Sequence, residues 1–408
     1  MKIALLHYSS PPIVGGVESV LAYHARLMTK AGHQVTIFTG RGNIFDHRIP
    51  IMLLPHLDSR HPDVLQVKAQ LDKGKIPPEF DALREQIKKD LLEGLKGFEL
   101  LIAHNVASLH KNLALTAAIH AVYQLPGFPR LILWHHDLAW KTPRYRHEIH
   151  AGQPWDFLRT NWQGVTQVVV SQLRRQELSE LLHIPGESIH VIPNGVELST
   201  FYKLEQKTVQ LMDQLKLIEA DPLLLLPARL TRRKNIELAL HILVELRNDF
   251  PQAMLLVTGP EGPHNPKNQA YKENLLMLRN QLKLRGAAHF LAEVKSEFLP
   301  DAVIADFYRL ADALLFPSYE EGFGIPILEA GISSIPVFCS NIPVLRELGG
   351  NDVSYFDTHA SPSVIAREIT MRLNNEATSR WARRAKRDYA WDAIYKNLIE
   401  PLIQEVSV

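Results

Sequence analysis

Cysteine is nearly absent: Cys339 stands alone in 408 residues. An internal disulfide is excluded, and so is a zinc or iron–sulfur site built on several thiolates. Long apolar runs are missing too. Runs such as Leu223–Leu226, which stops at Pro227, fall far short of the roughly 18 residues a bilayer span needs. The apolar run at residues 3–6 is equally short, and no small-residue cleavage site follows it. The N-terminus therefore reads as a first strand rather than a secretory signal. Neither sign of charge is in excess, with 45 Lys and Arg against 44 Asp and Glu. That balance excludes the basic footprint of a dedicated nucleic-acid binder. Two motifs are also lacking. No Asp-x-Asp is present to hold a divalent ion, and Gly40-Arg41-Gly42 lacks the third glycine of the dinucleotide fingerprint. The expectation is a cytoplasmic protein, at most peripheral at a membrane.

What is present is ordinary for a globular enzyme, 46% hydrophobic and 22% charged residues. Short apolar runs alternate with stretches of helical spacing. Strands are expected at 3–8, 34–39, 51–54, 100–104, 131–134, 167–170 and 190–192. In the second half they are expected at 223–227, 254–258, 289–292, 313–316, 336–340 and 354–356. Most lack period-2 alternation, as strands buried on both faces do. Ile236, Leu240, Leu243 and Leu246 illustrate the helical spacing between them. The pattern predicts two doubly wound α/β, Rossmann-like domains. Pro193-Asn194-Gly195 is turn chemistry and sets the boundary, with the polar residues 203–216 as a spacer before the next strand. The domains are then 1–195 and 196–379, with a helical tail from about 380 to 408 that carries Trp391, Ile394 and Leu398 on one apolar face. Residues 84–96 read as a solvated helix with Ile87, Leu91 and Leu95 on the core, rather than as a membrane-surface helix.

Four segments carry candidate chemistry. After the first strand comes Val14-Gly15-Gly16-Val17-Glu18, where two glycines precede a helix start and a free helix N-terminus favours an anion. After the strand at 223–227 comes Arg229-Leu230-Thr231-Arg232-Arg233-Lys234-Asn235, clustered cations at a parallel strand end, suited to gripping phosphate. After the strand at 313–316 comes Glu320-Glu321-Gly322-Phe323-Gly324-Ile325-Pro326, running on to Glu329. Its glycines permit a tight loop, Pro326 suits the first helical turn, and the amides of Phe323 and Gly324 can face an anion. Glu321 and Glu329 can accept hydrogen bonds from a hydroxyl-rich ligand. The fourth segment is Trp134-His135-His136-Asp137. Adjacent strand residues point to opposite faces, and no second ligand cluster is evident, so no metal is expected there.

Together these segments resemble glycosyltransferase family 4, and the resemblance covers essentially the whole chain. EGFGIPILEA is similar to the family's paired glutamates, ARLTRRKN to its phosphate-binding Arg and Lys, and GGVE and IPNGV also match. The resemblance implies the GT-B fold, two Rossmann-like domains facing a central cleft, with the C-terminal helix crossing back to the N-terminal domain and Trp391 packing there. It implies retaining transfer of a hexose from a nucleotide-diphosphate sugar, UDP- or GDP-linked, to an acceptor hydroxyl, without a metal or other cofactor. Gly15 and Gly16 would contact the donor diphosphate or sugar. Arg229 and Lys234 would neutralise the leaving diphosphate, with Gly322, Phe323 and Gly324 nearby. Glu321 would hold the transferred sugar and Glu329 the ribose. His136 would lie near the sugar, with His135 as the alternative. The base would lie near residues 258–262 and 292–295. The N-terminal domain would bind the acceptor, a small molecule, a glycan or a lipid-linked group. Lys141, Arg144 and Arg146 mark an acceptor-side segment suited to an anionic group. Another GT-B activity, such as a sugar-nucleotide epimerase, and a non-catalytic sugar-nucleotide-binding protein remain alternatives.

Overall fold

The computed structural model describes residues 1–260, 266–294 and 299–407. Every apolar run expected to be a strand is one, with ends shifted by two residues at most. In the N-terminal half these are β1 (Lys2–Ser9), β2 (Gln34–Arg41), β3 (Ile51–Leu53), β4 (Leu100–His104), β5 (Arg130–His135), β6 (Thr166–Val169) and β7 (Ile189–Val191). They form one parallel sheet in the order β3-β2-β1-β4-β5-β6-β7. The second sheet is built from β8 (Leu223–Leu226), β9 (Met254–Val257), β10 (Ala288–Phe290), β11 (Ala313–Phe316), β12 (Val337–Ser340) and β13 (Ser354–Phe356). Its order is β10-β9-β8-β11-β12-β13, again parallel throughout.

The missing alternation has a direct cause. On β8, Leu224 and Leu226 enter one core cluster, while Leu223 and Leu225 enter another on the opposite face. Helices cover both faces, so every position is apolar. Each sheet reverses direction once, between β1 and β4 and between β8 and β11. Ligands of open parallel sheets bind at such reversals, outside the carboxyl ends of the strands. This topology directs attention to the loops after β1, β4, β8 and β11.

The chain divides into two compact units, Met1–Gly195 joined by the chain from Ile394 on, and Val196–Ala393. The return to the first unit thus starts later than residue 380. The helix Ala377–Tyr389 and Trp391 group with the second unit, where Val196 N donates to Tyr389 O (2.7 Å) and Trp391 N to Val196 O (3.2 Å). Leu398 does not share the apolar face of Trp391 and Ile394. It is 37% exposed, and Ile399, Leu402 and Ile403 are buried instead. A π-helical turn at Tyr395–Ile399 inserts an extra residue and rotates the stripe. Residues 203–216 are not a plain spacer. They contain the helix Gln206–Leu215, which buries Thr208, Leu211 and Met212. The Asp306 carboxylate caps its start, accepting from Glu205 N (2.8 Å) and Thr208 Oγ1 (2.6 Å). No described helix is long and apolar enough to cross a membrane.

Candidate functional site

In the first unit the carboxyl ends of β1, β4 and β5 bring histidines together. His104 ends β4, and its Nδ1 meets His136 Nε2 at 3.2 Å. His7 on β1 places Nδ1 2.9 Å from the His104 carbonyl. The His24 ring lies 5.3 Å from that of His104 and 4.6 Å from Trp134. Asn105 organises the turn after β4. Its backbone is left-handed (φ 57°), and Asn tolerates that conformation better than most residues. Its Oδ1 accepts from His136 N (2.7 Å) and Asp137 N (3.1 Å), which fixes the end of β5. His135 and His136 diverge as the strand rule requires. His135 Nε2 pairs with Gln167 Oε1 on β6 (2.8 Å), whereas His136 joins the histidine cluster at the sheet reversal.

Burial dominates the titration of this cluster. It pushes His24 and His136 down to about 3, His135 to about 4 and His104 well below its ordinary value, with neighbouring histidines adding to the effect at His104 and His136. These groups stay neutral in the folded chain at a pH where the unfolded chain protonates them. The unfolded state then binds more protons, so stability falls as pH drops below about 6.5. The expected loss approaches about 1.4 kcal/mol per histidine per pH unit. Urea unfolding of the intact chain at pH 7.5, 6 and 5 checks this; a midpoint unchanged between pH 7.5 and 5 contradicts it.

The glycine loop behaves differently from a bare helix N-terminus. The helix Gly16–Lys30 starts behind Gly15, and Glu18 in its first turn folds back over Gly15, where Ser9 Oγ donates to Glu18 Oε1 (2.7 Å). A side chain on Gly15 would collide with that carboxylate. With an acid already at this position, hydroxyls suit the loop better than phosphate.

In the second unit the loops after β8 and β11 meet at the sheet reversal. Lys234 Nζ donates to Glu321 Oε1 at 2.5 Å, and the side chains are only 9% and 7% exposed. Arg233 lies 3.5 Å from Glu321 Oε2 and its carbonyl accepts from Tyr319 N (2.8 Å), tying the two loops together. Lys234 also sits 5.0 Å over the Phe316 ring. Burial lowers the Lys234 ammonium's pKa, and the Glu321 carboxylate partly restores it. Arg229 is exposed, and its guanidinium has no ion-pair partner among the described residues. Gly324 caps the helix Ile325–Ile332 with φ 102°, and a Cβ there would press on Leu345 Cδ2 at 2.6 Å. Both facts demand glycine. Gly322 and Phe323 are exposed on the same loop. Glu329, one turn into the helix, accepts from Tyr308 OH at 2.6 Å. Thr231 Oγ1, Asn235 Nδ2 and Ser318 Oγ are buried without a partner among the described residues, which is uncommon in native chains.

The basic segment after Asp137 is less charged than its sequence suggests. Lys141 is paired with Glu180 (2.7 Å), whereas Arg144, stacked 4.6 Å from the Tyr145 ring centroid, and Arg146 are exposed. The stretches expected near a base, 258–262 and 292–295, fall partly outside the described residues, at Gly262 and Lys295 among others. Two described groups have metal-ligating side chains in reach of one another, His56 with His61 and Asp63, and Asp72 with His110 and Glu148. Neither contains a residue of the candidate site, and Lys68 already bridges Asp72 and Glu148. Sequence reasoning missed His7, His104, Asn105 and Tyr308. Only the position of His104 and Asn105 at a strand end gave a signal, because their partners are remote in sequence.

Comparison with known proteins fits this architecture. The description Glycosyltransferase Family 4 matches residues 14–200, and Glycosyl transferases group 1 matches residues 209–388. The chain belongs to this family of glycosyltransferases, and each of its two units carries one Rossmann-like parallel sheet. It is 23% identical over 378 residues to a mannosylglucosylglycerate synthase of Petrotoga mobilis, covering 85% of this chain and 84% of the relative. It is 25% identical over 378 residues to an MMP alpha-(1->4)-mannosyltransferase of Mycolicibacterium hassiacum, covering 86% and 84%. A serotype-specific mannosyltransferase of Escherichia coli is 29% identical over 214 residues, 51% of this chain and 24% of the relative.

Proposed function

We propose that this glycosyltransferase moves a hexose, with mannose the first choice, from a nucleotide-diphosphate sugar to an acceptor hydroxyl, with retention and without a metal. The observation that carries this reading is the buried Lys234–Glu321 pair with Arg233 at 3.5 Å, on the loop that also carries Arg229, at the sheet reversal of the second unit. Breaking a sugar–diphosphate bond leaves negative charge that must be stabilised where it develops. Arg229, Lys234 and the amides around Gly324 supply that stabilisation, in a chain without Asp-x-Asp. Lys234 spends one of its three donors on Glu321 and keeps two for phosphate. Glu321 then accepts from sugar hydroxyls, and Glu329, oriented by Tyr308, from the ribose. The unpartnered Thr231, Asn235 and Ser318 atoms favour a polar ligand on the same loops. Retention follows from same-face attack, with the departing phosphate taking the acceptor proton. The choice of mannose rests on the names of the relatives above.

In the first unit His136 acts on the sugar side and Gly15-Gly16 on hydroxyls. Arg144 and Arg146 are the remaining cations for an anionic acceptor. The test is turnover of GDP-mannose, UDP-glucose and related donors against simple sugar, glycerate and lipid-linked acceptors, with excess EDTA in parallel. Transfer should persist in EDTA at near its untreated rate. Complete loss, restored by Mg²⁺ or Mn²⁺, overturns the electrostatic account. Isomerised donor without transfer would identify an epimerase, and binding without turnover a non-catalytic protein.

A further inference from the structure

The helix Ala377–Tyr389 concentrates positive charge: Arg380, Arg383, Arg384, Lys386 and Arg387 against a single acid, Asp388. Its surface holds a cavity of about 310 Å³, lined chiefly by Asp221, Arg380, Trp381, Arg383, Arg384 and Arg387. Asp221 stands just before β8, whereas the candidate site lies beyond the carboxyl ends of β8 and β11. The cavity is therefore at the opposite edge of the same sheet. Four guanidiniums and the Asp221 carboxylate line it, with Asp388 paired to Arg387.

Part of this charge is structural. Arg383 donates to Asp221 Oδ1 (3.1 Å) and to Asn374 Oδ1 (3.2 Å), and Arg387 donates to Asp221 Oδ2 (2.9 Å) and to the two oxygens of Asp388 (2.7 and 3.0 Å). Arg380 caps the preceding helix through the carbonyls of Asn374 and Asn375. Two features are left over. Arg383 is 7% exposed, yet its Nε has no partner among the described residues, a rare state for a buried donor. Arg384 is exposed, and its guanidinium lies 4.6 Å from the centroid of the Trp381 ring, itself 54% exposed. Asp221 and Asp388 take up Arg383 and Arg387, which leaves the exposed Arg384 without an ion-pair partner among the described residues, and guanidiniums match phosphate oxygens two at a time. The volume lies at the small end of ligand pockets, large enough for a phosphate or sugar phosphate.

We infer that this cavity is a second anion site, taking a small soluble phosphorylated molecule against Arg380, Arg384 and the Trp381 face. A bilayer surface is the poorer fit. A helix lying in the interface needs a broad apolar face, and this one exposes only Trp381 and Tyr389 as large apolar residues.

The experiment is calorimetric titration of the full chain with inorganic phosphate and pyrophosphate, read in parallel by tryptophan fluorescence. Because the candidate donor site also attracts pyrophosphate, Lys234→Ala and Arg384→Glu are titrated beside the natural chain. Arg384 makes no ion pair among the described residues, so its replacement leaves the fold intact. The expected result is a binding event that survives Lys234→Ala, weakens at least tenfold in Arg384→Glu, and shifts a fluorescence signal that disappears in Trp381→Phe. Binding unchanged by Arg384→Glu and silent at Trp381 overturns the site. Vesicles of phosphatidylglycerol form the last arm. Arg384-dependent vesicle binding without phosphate or pyrophosphate binding would make the surface a lipid contact and overturn the soluble-ligand assignment.

Discussion

Replacing Lys234 with Ala should lower turnover by about a hundredfold or more, the usual cost of removing one transition-state donor. The same holds for Arg229→Ala, but the two should differ in stability. Arg229 is exposed and its guanidinium has no ion-pair partner among the described residues, so its loss should leave unfolding unchanged. Lys234 is buried against Glu321. Its removal strands a carboxylate whose one remaining cation among the described residues is Arg233 at 3.5 Å, and breaking a buried pair typically costs about 3–5 kcal/mol. A double variant, Lys234→Met with Glu321→Leu, separates the effects. It should recover most of the lost stability, because no buried charge is left uncompensated, and none of the lost turnover. Urea unfolding and initial rates on the same preparations check both. Near-normal turnover in Arg229→Ala and Lys234→Ala alike removes the phosphate assignment.

The second large effect concerns the two adjacent histidines. His136→Ala should reduce kcat by on the order of a hundredfold, within the range for a positioned proton-transfer or hydrogen-bonding group. His135→Ala should act chiefly on stability, because its ring is buried and paired with Gln167 on the neighbouring strand. A buried Gln167 without its partner loses about 1–3 kcal/mol. Rates measured at saturating donor, beside unfolding curves, separate the outcomes. The reverse pattern, full activity in His136→Ala and near-complete loss in a folded His135→Ala, would move the role one residue back.

The strands were legible because burial on both faces leaves an unmistakable mark, as in Leu223–Leu226. Helix Gln206–Leu215 was not, since only Thr208, Leu211 and Met212 are buried and more than half of its residues are Gln, Lys, Asp or Thr. Leu398 was misplaced because helical periodicity assumes 3.6 residues per turn, and the π-turn at Tyr395–Ile399 breaks it. In the candidate site, Lys234 and Glu321 lie 87 positions apart. Each was visible through its own strand-end motif. The contacts that position other residues were hidden. Tyr308 lies inside an amphipathic helix where a tyrosine reads as core, and nothing local ties it to Glu329. Asn105 and His104 read as an ordinary strand end until β5 is placed beside β4. Sheet order is the missing information, and a single sequence carries it only weakly.

The central claim is that the cations after β8 recognise a diphosphate. Calorimetric affinities for matched nucleoside diphosphates and monophosphates test it most directly, measured in EDTA on the natural chain and on Arg229→Ala. The account predicts that the diphosphate of the preferred base binds at least tenfold more tightly than its monophosphate, and that the Arg229→Ala substitution removes most of the difference. Equal affinities for the two in the natural chain, or a preference untouched by losing Arg229, would contradict it.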